Sequence, residues 1–283
     1  MRVLGTMAFV ALCAVATEAS AQNQRNADSF AWSGRIAAGN TVRIRNLSGD
    51  INVERSGSGQ VEVTGLKTYR RGDPADVRFE VVPEGGDVTI CAIWYEGRCT
   101  DDGPKSGPKR DDNEDRNNDV SVTFTVKLPA GVKLEASGVS SNVTVTGATA
   151  GVSGNSVSGD VTLSDVSGDI RVNSVSGDVK VTGANTGAIR ANTVSGDIEI
   201  GVAQLTGSGD LEFSTVSGDV DITLPANLDA VVRMSTVSGD LRSDFPLTTQ
   251  GETRRRNMEA RIGSGGRLLK FNSVSGNVTL RRG

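Results

Sequence analysis

The sequence predicts an all-β protein, a single-chain parallel β-solenoid with about 18–22 residues per two-strand coil and an irregular strand-rich N-terminal part. Three observations predict it. A pentapeptide recurs as NLSGD at 46–50, SVSGD at 156–160, DVSGD at 165–169, SVSGD at 174–178 and TVSGD at 193–197, 215–219 and 236–240, with variants GVSSN at 138–142, GSGD at 207–210 and SVSGN at 273–277. Apolar-polar-apolar triplets follow the copies, as in Val161-Thr162-Leu163, Val179-Lys180-Val181 and Ile198-Glu199-Ile200. The final Asp or Asn of the strictest copies falls at 142, 160, 178, 197, 219, 240 and 277, at intervals of 18, 18, 19, 22, 21 and 37 residues. Self-similarity at such a period is the mark of a stacked repeat.

Composition supports short strands and tight turns: 35 glycines, 4% aromatic residues and abundant Val, Thr and Ser. A Gly-Asp pair between alternating segments also suits a hairpin turn and an antiparallel meander. The apolar phase argues against that. Val175, Gly177, Val179 and Val181 share one parity, Val166, Gly168, Ile170 and Val172 the other. Side chains alternate faces along a strand, so this phase reads each unit as one strand with its glycine inward and a corner between units. The every-other-unit regularity then places two strands on opposite walls of each coil, the second supplying the return path that parallel strands need.

On this reading Val157, Val175, Val194, Val216, Val237 and Val274 form an inward column, and Gly159, Gly177, Gly196, Gly218 and Gly239 another. Arg171, Lys180, Glu199, Glu212, Asp221 and Arg242 face solvent with mixed sign. About eight coils over 129–283, stacked at roughly 4.8 Å, make a rod near 40 Å long. Arg281 and Arg282 are expected to guard an exposed strand edge.

The chain begins with Arg2, an apolar run from Val3 to Ala16 and the small-x-small triplet Ala19-Ser20-Ala21, which reads as a signal peptide over 1–21. Glu18 ends the run short of the roughly 20 apolar residues of a membrane helix. Cys13 follows Leu12, too bulky for a lipid attachment site. The expected location is therefore outside the cytoplasm, periplasmic or at the cell surface, without a transmembrane segment. Residues 22–30 read as a linker, 31–128 as an N-terminal β region or cap with a polar loop over 97–119, and 129–283 as the solenoid repeats. Cys91 and Cys99 are placed to form a disulfide in an oxidising compartment.

The chain has no histidine, which excludes Ser-His-Asp and Cys-His nucleophilic sites and His-ligated zinc. The net charge of −4 is mild and the basic residues are dispersed, which gives no nucleic-acid footprint. Catalytic and cofactor residues are accordingly expected to be none.

The repeats, with SFAWSGRIAAGNTVRI near the start, LPAGVKLEAS at 128–137 and IGSGGRLLKFNSVSGNVTL near the end, resemble the putative-adhesin family of bacterial β-strand-repeat proteins, a domain of unknown function. The resemblance covers roughly residues 30–283. It implies an exported solenoid of the envelope and carries over no catalytic residue.

Two places could hold metal. The Asp column at Asp160, Asp178, Asp197, Asp219 and Asp240 invites comparison with a calcium-binding β-roll, but the G-G-x-G-x-D unit of such rolls has paired glycines that are missing here. Asp111, Asn113 and Asp115 alternate as in an oxygen-ligand calcium loop, with Arg116 where glycine would allow the turn. The bland readings are carboxylates that face solvent or bond a neighbouring backbone group, and a solvated acidic loop. A β-helix polysaccharide lyase or hydrolase is the enzymatic alternative; it needs convergent charges and sugar-stacking aromatics, for which Trp32, Trp94 and Tyr95 are the candidates. The leading expectation is a noncatalytic envelope binding protein or scaffold, adhesin-like, whose partner is an envelope protein or glycan.

Overall fold

A computed structural model describes residues 28–100, 103–105, 118–249 and 257–283. The expected signal peptide, the start of the linker, and Asp111, Asn113 and Asp115 lie outside these residues.

Runs of β-branched residues alternating with polar ones give short strands throughout. The N-terminal part supplies β1 (Ser29–Gly34), β2 (Thr41–Arg45), β3 (Ile51–Arg55), β4 (Val61–Thr68), β5 (Val77–Glu84), β6 (Asp87–Trp94), the small hairpin β7 (Arg98–Thr100) and β8 (Gly103–Lys105), and β9 (Ser121–Leu128). The repeats supply β10 (Lys133–Ser137), β11 (Val143–Thr146), β12 (Val152–Asn155), β13 (Val161–Ser164), β14 (Ile170–Asn173), β15 (Val179–Thr186), β16 (Ile189–Asn192), β17 (Ile198–Leu205), β18 (Leu211–Ser217) and β19 (Val220–Leu224). The C-terminal part holds β20 (Ala230–Ser238), β21 (Leu241–Ser243), β22 (Thr248–Thr249), β23 (Asn257–Ile262), β24 (Arg267–Ser275) and β25 (Val278–Arg282).

Two long sheets face each other. One runs β1-β4-β9-β3-β11-β13-β15-β17-β19-β25-β21, the other β5-β6-β2-β10-β12-β14-β16-β18-β24-β20-β23-β22. Within the repeats every neighbour is parallel. Val143, Val161, Val179, Ile198, Val220 and Val278 lie in register in the first sheet, and Leu134, Val152, Ile170, Ile189, Leu211 and Leu269 in the second. Adjacent nine-residue units thus occupy opposite walls, and alternate units stack, as the spacing predicts. Eight such two-strand coils are described, seven from 129–283 and one from β2–β3.

The interior is largely aliphatic, with Leu163, Ile189, Ile198 and Ile200 at or near zero exposure. Phe213 and Phe271 stack at 5.3 Å near the C-terminal end, and Phe30, Phe79 and Phe124 close the N-terminal end with centroids 4.8 and 5.9 Å apart. Cys91 of β6 and Cys99 of β7 form a disulfide with a Cα separation of 5.9 Å. In the same N-terminal part, the Asp119 carboxylate accepts the backbone N–H groups of Arg70, Arg71 and Gly72, which hold its pKa below the ordinary value.

Three expectations are corrected. The valine column points outward: Val157, Val175, Val194 and Val216 are 44–46% exposed, Val274 47% and Val237 62%. The phase of the preceding strand decides this. Ile170, Val172 and Ser174 face in, so Arg171, Asn173 and Val175 face out, and the chain turns only afterwards, at Ser-Gly-Asp.

The glycines therefore sit in the corner, not inside a strand. They let one coil lie on the next. A Cβ on Gly218 would stand 2.0 Å from the Gly196 carbonyl oxygen, and one on Gly196 2.2 Å from that of Gly177.

The rung order is also not the sequence order. The last coil, β24–β25, is inserted between β18–β19 and β20–β21, so Asp219 is followed in the stack by Asn277 and then by Asp240. Arg281 and Arg282 consequently guard no edge, because β25 has a partner on each side. Arg281 pairs with Asp221 at 3.1 Å, and Arg282 covers the ring of Phe245.

Candidate functional site

The stacked Val-Ser-Gly-Asp corners build one long edge of the rod. Six of its eight rungs are assembled in the same way. The last inward residue of the incoming strand is a small hydroxyl, as at Ser156, Ser174, Thr193, Thr215, Ser273 and Thr236, and it is buried. At three rungs its side chain reaches the carbonyl of the corner below, Ser156 Oγ donating to Ser141 O at 2.7 Å, Ser174 Oγ to Gly159 O at 3.3 Å and Thr193 Oγ1 to Gly177 O at 3.4 Å, whereas the hydroxyls of Thr215, Thr236 and Ser273 have no partner among the described residues. The next residue faces water. Together with Leu47 and Val139, both more than 40% exposed, the six valines make eight apolar rungs in a single row.

The corner backbone is itself hydrogen-bonded from coil to coil. Ser158 N–H donates to Val139 O, Ser176 to Val157 O, Ser195 to Val175 O and Ser217 to Val194 O, at 2.7–2.9 Å. Gly159, Gly177 and Gly196 donate in turn to Ser176 O, Ser195 O and Ser217 O. The edge is therefore a narrow run of parallel bridges, already paired along the stack.

Beside the apolar row runs an acidic one, Asp50, Asn142, Asp160, Asp178, Asp197, Asp219, Asn277 and Asp240 in stack order. Each side-chain Oδ1 up to Asn277 accepts the backbone N–H of the next rung: Asp50 Oδ1 from Asn142 N–H, Asn142 Oδ1 from Asp160 N–H, and onward through Asp178, Asp197, Asp219, Asn277 and Asp240 at 2.7–3.3 Å. The backbone-bonding reading of this column is what the geometry shows. Carboxylates one rung apart still repel by roughly 0.9 kcal/mol per pair in water. Charge-assisted acceptance of an amide offsets that, and the two asparagines interrupt the run. Among the described residues no group of three or more His, Cys, Asp or Glu side chains is arranged to hold a metal ion.

An open groove of about 670 Å³ lies elsewhere, across the outer face of the second sheet. Lys133, Glu135, Asp169, Arg171, Arg190 and Glu212 line it. Arg190 is held by Glu212 at 2.9 Å, and Glu135 by Arg45 at 2.6 Å. None of Trp32, Trp94 and Tyr95 lines it; the two tryptophans pack against the N-terminal part of the core. A second hollow contains Arg267, whose guanidinium donates to Gly187 O, Gly209 O and Gly207 O at 2.7–3.1 Å; burial lowers its pKa while Asp210 opposes the shift. This cation is a strut between corners.

The profile of the Toastrack DUF4097 family matches residues 114–281, more than half of the chain. The chain belongs to this family. No curated protein matches this Toastrack chain. Solved structures with a similar course include a protein described as a putative cell adhesion protein from Clostridium sporogenes, 10% identical, with 90% of this chain and 100% of that one covered and a TM-score of 0.41. A putative adhesin from Bacteroides fragilis is 14% identical over 92% and 99% of the two chains, with a TM-score of 0.40. A putative lipid binding protein from Parabacteroides distasonis is 11% identical over 90% and 98%, with a TM-score of 0.38. At these scores the likenesses carry no argument about chemistry. The Toastrack edge is only half visible in the sequence: the repeat announces the Asp row and its register, while the apolar row reads as interior.

Proposed function

We propose that this Toastrack protein is a noncatalytic binding scaffold of the cell envelope, exported to the periplasm or cell surface, which offers the Val-Ser-Gly-Asp edge to an envelope protein or glycan. One observation carries the reading: eight apolar side chains stand half exposed in an unbroken row on a backbone that is hydrogen-bonded from rung to rung. Scattered apolar residues on a surface need no explanation, but a contiguous row rimmed by polar groups marks an interaction site. Rigidity lowers the ordering cost of binding, and an elongated solenoid maximises surface per residue. The disulfide fits an oxidising compartment outside the cytoplasm.

The test is site-specific photo-crosslinking in the native cell, with the photoreactive residue placed at Val175 or Val216 on the edge and at Arg171 or Lys180 on the two outer faces. Discrete adducts from the edge positions and none from the faces are expected. Equal labelling at all four positions, or none at the edge, would overturn the reading.

A further inference from the structure

The edge has a chemistry specific enough to select the kind of partner, and the inference that follows rests on the binding role proposed above. Its eight corners, 46–50, 138–142, 156–160, 174–178, 193–197, 215–219, 236–240 and 273–277, contain no lysine or arginine. The flanking column of the second sheet is neutral across the middle of the rod, an Asn and Ser ladder in which Asn173 Nδ2 donates to Asn155 Oδ1 at 2.7 Å and Asn192 Nδ2 to Asn173 Oδ1 at 2.9 Å. On the other side Lys180 is neutralised by Glu199 at 2.7 Å. The six aspartates of the edge keep Oδ2 free of hydrogen bonds among the described residues, and all six are exposed.

Three kinds of occupant are disfavoured on these grounds. A second copy laid edge to edge would set one carboxylate row against another. An anionic membrane surface would meet the same repulsion. An added β-strand finds little open backbone, because the Ser and Gly amides of the corners donate to neighbouring rungs and the Asp amides to the Oδ1 atoms of the rung below. A complementary surface must bring cations and apolar groups side by side and read side chains alone.

Length narrows this further. Eight rungs at roughly 4.8 Å span about 34 Å, and an α-helix rising 1.5 Å per residue covers that in about 22 residues. A helix with one apolar stripe bordered by Lys or Arg matches the pairing of rows that the edge displays. We propose that the Val-Ser-Gly-Asp edge is a docking strip for a basic amphipathic helix of about 22 residues, its apolar stripe on the valine row and its cations on the aspartate row.

The probes are two synthetic amphipathic peptides of about 22 residues with the same apolar pattern, one with lysine and one with glutamate on the polar face, titrated against the disulfide-intact protein by fluorescence anisotropy. Two triple variants test the two rows: V175T/V194T/V216T keeps the branched shape, and D178N/D197N/D219N keeps the amide acceptor that Asn142 and Asn277 already provide. Melting temperatures of both variants check that the rod is intact, and R190Q/E212Q, which removes a whole ion pair from the outer face of the second sheet, serves as a control off the edge. The expected result is binding of the lysine peptide alone, at least tenfold weaker in either edge triple, unchanged in the control, and weakened by salt more in wild type than in the aspartate triple. Binding of the glutamate peptide as well, or lysine-peptide affinity insensitive to both triples, would overturn the proposal. Edge-specific crosslinks in the cell together with no peptide binding would overturn the helix while leaving the edge as a binding site; loss of the crosslinks would remove the reading beneath it.

Discussion

At the scale of single residues, the corner is fixed by close approach. Gly218 has φ near +150° and its missing Cβ leaves room for the Gly196 carbonyl oxygen, which a methyl group would meet at 2.0 Å. The opposing atom belongs to backbone that is hydrogen-bonded into the stack, so it has nowhere to retreat. Gly218→Ala should cost about 3 kcal/mol, the range of a strained backbone position with an added overlap. At Gly57 an added methyl would meet nothing within 4 Å, so Gly57→Ala should change stability by less than about 0.5 kcal/mol. Urea denaturation of the two variants measures the difference, and comparable losses would show that coil-to-coil contact does not set the glycine requirement. The sequence marks these glycines by their repetition, but their reason lies between rungs and therefore 18–22 positions away, where no local pattern shows it.

At the scale of elements, the walls are legible in the sequence and the corner is not. Triplets such as Ile170-Arg171-Val172 and Val179-Lys180-Val181 alternate in and out as their polarity predicts, and their 18–22 residue period gives the parallel register. The valine of the motif shares its parity with the strand that follows, which makes it read as interior. The strand that precedes it controls the phase instead, through a buried Ser or Thr that looks polar in sequence and is inward in the fold. DVSGD at 165–169 shows the counter-case: Asp165 takes φ 53°, and there Val166 is fully buried. The same four letters thus face opposite ways at the two corners of a coil. Val175→Thr, on the edge, should shift stability by no more than about 0.5 kcal/mol, whereas Leu163→Ala inside the rod should cost about 3 kcal/mol. Equilibrium unfolding compares them, and a large loss at Val175 would return that side chain to the core.

At the scale of the whole molecule, the solenoid is closed out of order. A linear repeat array loses one interface when its last coil is removed, because each repeat touches only its neighbours. Here the C-terminal coil lies between two others. β24 pairs with β18 and β20, β25 with β19 and β21, so the coil contributes two interfaces and holds β20–β21 to the rest. Without it, the strands on either side would face a slot one coil wide, each with a row of unpaired backbone groups and with Phe213, Leu211 and Val220 no longer covered. Deletion of residues 267–283 should therefore lower the melting temperature by about 10 °C or more. It should also expose 230–249 to limited proteolysis while leaving the coils from β10 to β17 protected. The slot has a defined occupant, so a synthetic peptide of residues 267–283 added in trans should restore protection of 230–249, and a peptide with Val278 and Leu280 replaced by aspartate should not, since both side chains are fully buried in the intact rod. Protection of 230–249 in the truncated chain without any peptide would mean that β20–β21 moves up to pair directly with β18–β19, and the inserted coil would then be dispensable to the stack.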